Sequence, residues 1–201
     1  MKKFSSLLLM LFLSTISFAQ NSIWLEKGES NPLLVAEFKH MPNDNVFNYL
    51  YVESELSHNV TNSTYILASR DQKWWDKSIW VHGEIRTFVG KDFASDNIFL
   101  IGPMFGLLEG KYGFLNVQTM YRYDGKSNFQ VSILSDVEYK SILYSMFLDT
   151  YGTDKFYAHT ENRLFIKLFN PIRIGGNLIV TLNEVEKGIK LKPMAVIRVD
   201  L

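Results

Sequence analysis

The chain has 201 residues, of which 47% are hydrophobic and 14% aromatic, and its 21 Lys and Arg residues balance 21 Asp and Glu residues. A chain without an excess of positive charge lacks the electrostatic footprint of a nucleic-acid-binding protein. The absence of cysteine excludes disulfides, thiolate metal sites and a lipidated N-terminal cysteine.

The N-terminus carries the charged, apolar and small-residue parts of a secretory signal. Two lysines at positions 2–3 precede an apolar run at 7–13, and a small-residue stretch follows at 14–19. We expect cleavage before Gln20 or Asn21, so that residues 1–20 are a signal peptide and residues 21–201 form one domain outside the cytoplasm. Without Lys2 and Lys3 that domain has 19 basic and 21 acidic residues, a net charge of −2.

No later stretch approaches the roughly 18 consecutive apolar residues that a membrane-spanning helix requires.

Turn-forming residues divide the rest of the chain into short blocks. Turns are predicted at 28–32, 42–45, 57–59, 70–78, 90–97, 109–111, 124–127, 139–141, 152–155, 170–171 and 186–188. They delimit roughly eleven strands of about 8 to 13 residues, or twelve if residues 22–27 also pair. Bacterial single-chain barrels usually have an even number of strands, so we expect about twelve, with ten as the alternative.

Side chains alternate between apolar and polar within these blocks, most clearly in residues 157–168. The even positions of that block are small or apolar, whereas the odd positions Tyr157, His159, Glu161, Arg163 and Lys167 are polar. Because successive side chains of a strand point to opposite faces, such a strand separates two opposite environments. Repeated blocks of about ten residues with one apolar face are typical of transmembrane barrels. We therefore predict an all-β, antiparallel transmembrane β-barrel with short loops in the outer membrane of a Gram-negative-type bacterium.

The apolar face recurs at alternate positions of 79–85, 115–121, 129–133, 142–148 and 174–182. Residues 46–56 and 98–105 are less regular, and their pattern assigns no face. Aromatic residues near block ends are predicted to form the girdles of the barrel at the membrane surfaces: Tyr49, Tyr51, Trp74, Trp75, Tyr123 and Tyr139.

The opposite face predicts the lining of the lumen. The candidate lumen and solute-contacting residues are Trp80, His82, Glu84, Arg86, Phe114, Arg122, Phe147, Asp149, Tyr157, His159, Glu161, Arg163 and Phe165. Both signs of charge alternate there at close spacing, so the lining lacks the single-sign ring of a strongly ion-selective pore, and a neutral polar solute fits it better. In the alternative interpretation Glu84 with Arg86, and Glu161 with Arg163, pair to plug a small lumen, since unpaired charges in a confined barrel are costly. No cofactor or metal site is predicted.

An ordered series of short motifs resembles a known family. The series begins with Tyr65-Ile66-Leu67-Ala68-Ser69-Arg70, Trp74-Trp75 and His82-Gly83-Glu84, and continues with Phe99-Leu100-Ile101-Gly102-Pro103, Tyr121-Arg122-Tyr123, Phe147-Leu148-Asp149, Glu161-Asn162-Arg163-Leu164-Phe165, Ile174-Gly175-Gly176 and the closing segment 191–201. It is similar to the Tsx-like nucleoside-specific outer-membrane channel superfamily, in particular its short uncharacterised branch (domain of unknown function 5020). The resemblance implies a monomeric barrel in outer-membrane lipid that passes nucleosides or similar small polar solutes without a cofactor.

Two other classes of function are compatible with parts of the sequence. A lipid-modifying enzyme at the barrel rim would need a hydroxyl nucleophile, a base and an acid, for which Ser57, His58 and Glu55, or Ser135 and Ser145, are the candidates. No G-x-S-x-G motif is present, so we do not predict an enzyme. A lipocalin-like binder would invert the two faces, but it usually needs only about eight strands.

Overall fold

The computed structural model describes residues 19–28, 31–56, 61–75, 79–89, 95–124, 127–152, 156–183 and 188–201. The strands in these ranges are β1 (Ala19–Lys27), β2 (Leu33–Asn43), β3 (Val46–Leu56), β4 (Thr61–Trp75), β5 (Ile79–Val89), β6 (Ser95–Gly110), β7 (Gly113–Tyr123), β8 (Ser127–Tyr139), β9 (Ile142–Tyr151), β10 (Tyr157–Phe169), β11 (Ile172–Asn183) and β12 (Gly188–Asp200).

Every strand pairs antiparallel with its neighbours in sequence, and β1 pairs with β12 to close the sheet into a barrel. The closing register runs from Ser22 opposite Asp200 to Lys27 opposite Ala195. The predicted all-β antiparallel barrel is confirmed, with twelve strands and not ten, because residues 22–27 do pair. Within the described ranges no helix is long and apolar enough to cross a membrane.

Two predicted turns are too wide. The turn predicted at 70–78 begins too early, because β4 continues to Trp75, and the turn predicted at 90–97 ends too late, because β6 begins at Ser95. The polar residues that indicated a turn in β4 lie on opposite faces of the strand, with Arg70 exposed and Asp71 buried. In the sequence, adjacent polar residues on opposite faces of a strand look like the polar residues of a turn.

Burial alternates along the strands as the sequence predicts. In β10, Phe165 is 0% exposed, whereas its neighbours Leu164 and Ile166 are each 49% exposed. The same alternation assigns faces to residues 98–105, whose sequence pattern assigned none, since Leu100 is buried and Ile101 is 59% exposed. The outer face is therefore apolar over most of the barrel, and the polar and charged side chains line its interior.

The aromatic girdle prediction is wrong for two residues. Tyr51 is buried, and its ring packs 6.0 Å from Trp24 inside the barrel, while the Tyr49 hydroxyl donates to Glu37 at 3.0 Å. Both occupy the inward positions of β3, which the irregular pattern of that strand concealed. Trp74 and Tyr139 are exposed on the outer face, as is Tyr123, and the side chain of Trp75 lies outside the described part of the chain.

The two ends of the barrel differ in their connections. At the end that holds Ala19 and Asp200, strands are joined by residues 44–45, 76–78, 111–112, 140–141 and 170–171. At the opposite end the connecting residues are 28–32, 57–60, 90–94, 124–126, 152–156 and 184–187. We call these ends the turn side and the loop side.

Two strands approach each other closely at Gly175 in β11. A Cβ atom added there would lie 1.9 Å from the Leu164 carbonyl oxygen and 2.9 Å from the Phe165 Cα. Because both contacts are with backbone, no side-chain movement can relieve them. Gly83 on the outer face of β5 is different, since its Cβ would meet only the Arg70 carbonyl oxygen, at 3.9 Å.

We expect Gly175→Ala to destabilise the folded barrel by about 1–3 kcal/mol, the usual cost of overpacking. The measurement is the midpoint of urea unfolding of protein refolded into lipid vesicles. Gly83→Ala is the matched control and should keep the wild-type midpoint. Equal midpoints for Gly175→Ala and wild type would contradict the close approach of β10 and β11.

Candidate functional site in the barrel lumen

Thirteen residues were predicted from the sequence to line the lumen, and the register places all of them on the inward positions of β5, β7, β9 and β10. They do not form one site. Several of them belong to two groups of polar contacts, which we name after Arg86 and Arg163, together with residues that were not predicted. A third group, which we name after Lys39, consists of residues that were not predicted.

The Arg86 cluster contains Asp71, His82, Glu84, Arg86 and Asp149, all of which are buried. His82 Nδ1 lies 2.5 Å from Asp71 Oδ1, and His82 Nε2 lies 3.2 Å from Glu84 Oε2. Arg86 donates through Nε to Glu84 and through Nη1 to Asp149. The result is a continuous chain of alternating acidic and basic groups.

One of these contacts crosses the lumen from β5 to β9. Arg86 on β5 reaches Asp149 on β9, although three strands separate them around the barrel, and Asp149 also accepts from Ser132 on β8. The Arg86 guanidinium lies 5.7 Å from the centre of the Phe147 ring. The Nη2 atom of Arg86 is buried without a hydrogen-bond partner among the described residues. The cluster thus bridges part of the lumen, and the Arg86 Nη2 group is left without an acceptor among the described residues.

Arg122 extends the polar wall toward the loop side. Its Nη1 donates to Gln130 Oε1 at 2.9 Å and its Nε to Asp124 Oδ2 at 2.9 Å. The guanidinium stacks 3.9 Å from the centre of the Tyr151 ring, and Tyr151 packs against Tyr157 at 4.6 Å between ring centres. The end of β9 and the start of β10 therefore present an aromatic pair beside a fixed cation.

The Arg163 cluster crosses the lumen near its middle. Arg163 on β10 donates to Glu26 on β1 at 3.2 Å, to the hydroxyl of Tyr51 on β3 at 3.1 Å, and to Glu161. Glu26 is 1% exposed and also accepts from the Trp24 indole at 2.8 Å and from Asn177 at 3.1 Å. Since three protein donors meet the Glu26 carboxylate, its burial is compensated.

Aromatic rings make cation–π contacts with the arginines of this cluster. The Trp24 ring has the guanidinium of Arg163 and that of Arg198 at 5.3 Å each from its centre. Phe165 has Arg198 at 5.4 Å, and it is itself fully buried. His159 completes the loop side of the cluster with contacts of 3.3 Å to Glu161 and 3.2 Å to Thr181.

The Lys39 cluster lies toward the turn side. Lys39 Nζ on β2 is 3.3 Å from Glu37 and 3.4 Å from Asp136 on β8, the strand diametrically opposite in the barrel. Nearby, Arg173 pairs with Glu138 at 2.7 Å and with Asp200 at 2.6 Å. A single side chain therefore spans the lumen at this level.

The remaining predicted residues, Trp80 and Phe114, make fewer of the described contacts. Trp80 has Lys73 Nζ at 5.9 Å from its ring centre, and Phe114 faces Asp136 across the β7–β8 pair. Sequence reasoning did not select Trp24, Glu26, Lys39, Tyr51 or Asp71. The alternation of Ser22, Trp24 and Glu26 with Ile23 and Leu25 is the signal that could have indicated the lining residues of β1.

The residues considered for rim catalysis do not form a constellation in the described structure. Ser57 and His58 lie outside the described residues. Ser135 lies on the outer face opposite Met146, whereas Ser145 lies on the inner face opposite Asp136. In the described ranges no group of three or more His, Cys, Asp or Glu side chains is arranged to hold a metal ion.

Comparison with known proteins identifies the class of fold. No family model and no curated protein matches the sequence. The KdgM porin, solved alone and in complex with disordered oligogalacturonate, has a similar structure, with a TM-score of 0.59 at 6% identity over 90% of this chain and 98% of the porin chain. A mutant of Rhodopseudomonas blastica porin matches with a TM-score of 0.43 at 10% identity over 85% of this chain and 55% of its own.

The chain therefore has the fold of a porin-like β-barrel. The likeness to KdgM covers nearly the whole of both chains, so it concerns the complete barrel and not a local strand motif. It does not confirm the resemblance to the Tsx-like superfamily, which stays a prediction.

We expect Arg86→Gln to destabilise the barrel by about 3–5 kcal/mol, because Glu84 and Asp149 would then be buried without their cation. Lys167→Gln is the matched control, since Lys167 is an inward-facing cation that is not buried. The double change Arg86→Met with Asp149→Leu should recover part of the loss, because it removes both charges. Urea unfolding in lipid vesicles measures all three variants, and an Arg86→Gln midpoint equal to that of Lys167→Gln would refute the bridging role.

Proposed function

We propose that the protein is an outer-membrane channel for the passive diffusion of small polar solutes. The observation that carries the proposal is the division of faces in a closed barrel, with apolar side chains outside and charged side chains of both signs inside. Lipid solvates the first face and water the second, which is the arrangement of outer-membrane barrels. The porin-like fold supports the same interpretation.

The lengths of the connections favour one orientation. Outer-membrane barrels have short periplasmic turns and longer extracellular loops. On the turn side four of the connections have two residues, whereas every connection on the loop side is longer. We place the turn side, with both ends of the barrel chain, in the periplasm.

The lining favours neutral or weakly charged solutes. Arg86, Arg122 and Arg163 each pair with an acidic side chain, so the described lining does not present a ring of one sign. KdgM has been solved in complex with disordered oligogalacturonate. For this chain we propose nucleosides as the solute, on the basis of the Tsx-like resemblance and of the Tyr151–Tyr157 pair beside Arg122, where a nucleobase could stack.

A closed structural barrel is the second candidate function. Contacts from three levels cross the lumen: Arg86 to Asp149, Arg163 to Tyr51 and Lys39 to Asp136. Several side chains in the interior, such as Gln130 and Met120, are 1% exposed. In a channel these contacts must break when solute and water pass, whereas in a structural barrel they must persist.

Single-channel current from refolded protein in a planar bilayer separates the two candidates. We expect small, discrete openings that added nucleosides block saturably. Tyr157→Ala should raise the nucleoside concentration for half block by about tenfold, within the range expected from losing a base-stacking contact of about 1–3 kcal/mol. Tyr144→Ala, on the outer face of β9, is the control and should leave the block unchanged. A folded barrel that carries no current would favour the structural barrel, and current without nucleoside block would reject the nucleoside proposal.

Removing the charge that holds the Lys39 side chain across the turn side should widen the path. We expect Lys39→Met to increase the single-channel conductance, because Asp136 then has no cation opposite it to hold the lumen closed. Lys167→Met, which also removes an inward lysine but breaks no ion pair described here, should change the conductance less. The same current recordings test both, and equal effects of the two substitutions would show that Lys39 does not constrict the path.

A further inference from the structure

The outer face of the barrel carries very little charge. In the described strands the register places a charged or histidine side chain on that face at Lys27, His40 and Arg70. Lys27 is the last residue of β1, whereas Arg70 lies five residues before the end of β4 (Thr61–Trp75), opposite Asn48 and toward the turn side. A charged side chain on the lipid face is unfavourable except near the headgroups, so Arg70 needs an explanation.

Arg70 belongs to a small polar region, which we name the Arg70 patch. In register, Arg70 is flanked by Asn48 on β3 and Gly83 on β5, and Asn48 is flanked by His40 on β2. Gln72 is the next outward residue of β4, and it is exposed, as Arg70 is. Among the described residues the Arg70 side chain has no hydrogen-bond or ion-pair partner. Within the described part of the chain, the guanidinium is therefore available to a ligand.

A notch lies beside Arg70. A Cβ on Gly83 would meet only the Arg70 carbonyl oxygen, at 3.9 Å, so the outer surface is open there. Beyond the notch the outer face becomes apolar at Ile85, Phe99 and Ile101, which are 47%, 48% and 59% exposed. A cation thus borders the position without a side chain at Gly83 and, beyond it, an apolar surface.

We propose that the Arg70 patch binds the phosphate of a glycerophospholipid, whose acyl chains lie along Ile85, Phe99 and Ile101. The inference rests on the proposed membrane location. Arginine matches a phosphate with bidentate hydrogen bonds, and its long side chain reaches toward the headgroup level while its stem stays on apolar surface. Asn48 and Gln72 place amide groups beside it, in positions to meet the remaining phosphate and glycerol oxygens.

A second copy of the chain fits this patch less well than a lipid does. A partner barrel would have to bring an acid to Arg70, but no acidic side chain lies on the outer face of the described strands. Two copies meeting through the same patch would oppose arginine to arginine. The anion must therefore come from something other than the barrel wall, and the phospholipid phosphate is the anion of that environment.

The test measures lipid retention by native mass spectrometry of the refolded full-length mature protein released from detergent micelles. The probes are phosphatidylglycerol and, as its phosphate-free counterpart, diacylglycerol with the same acyl chains. We expect wild type to retain phosphatidylglycerol, and Arg70→Gln to bind it about tenfold more weakly, the fold-change for loss of one charge-assisted hydrogen bond. Gly83→Ile, which fills the notch and keeps the charge, should also weaken retention.

Lys111→Gln is the matched control, because it removes an exposed cation in a turn on the same side of the barrel. It should bind phosphatidylglycerol as wild type does. Equal retention by wild type and Arg70→Gln, equal retention of diacylglycerol, or a dimer that Arg70→Gln dissociates would each overturn the lipid site. Heat-modifiable migration and insertion into vesicles are followed in parallel, so that failure to enter a membrane, which would refute the proposed function, is distinguished from loss of the lipid site alone.

Discussion

Hydrogen bonding between β1 and β12 is the constraint on which the other properties of the barrel depend. An open twelve-stranded sheet would expose two edges and leave both faces in similar surroundings, whereas a closed sheet has no edge and only one inside. Once Ser22 is set opposite Asp200, the two-residue period of each strand decides which side chains lie inside. A slip of β1 by one residue would carry Glu26 to the outer face, away from Arg163. The register that closes the barrel therefore also determines where the charged side chains lie.

The interior that results is as much a packed core as a passage. Glu26 is held by three donors, and Trp24 lies between two guanidinium groups, so these side chains satisfy one another instead of meeting water. Breaking such a cluster is costly in the absence of a substitute, because a buried charge would lose its partner. A solute that offers both donors and acceptors can replace some of these contacts, whereas an apolar solute cannot. The packed lining thus favours polar solutes even before its width is considered.

The sequence predicted the second half of the barrel better than the first, and β3 and β4 explain the difference. On these strands Tyr51 and Leu67 face inward, while Asn48 and Arg70 face outward. These exceptions occur beside the usual pattern, since Asp71 also faces inward, so the alternation on these strands does not indicate which face is which. The cross-lumen partners were beyond sequence reasoning for another reason. Lys39 and Asp136 lie 97 positions apart, and Arg163 and Glu26 lie 137 apart, so their contact depends on the curvature of the whole barrel.

The distribution of inward-facing apolar side chains also makes the lumen asymmetric. Inward-facing Val35, Tyr51 and Leu67 join Phe165 and Met194 in an apolar cluster on one side, and a smaller cluster of Ile98, Leu100 and Met120 lies on β6 and β7. The Arg86 cluster lies between them on β4, β5, β8 and β9. A solute that follows this polar wall would meet apolar and aromatic surface on its flanks and hydrogen-bonding groups in front. Molecules with a flat ring and a polar edge suit such a path, whereas a uniformly hydrated ion would meet apolar surface on both sides. The asymmetry of the lining therefore supports the proposed preference for nucleoside-like solutes over simple ions, and this support is independent of the family resemblance.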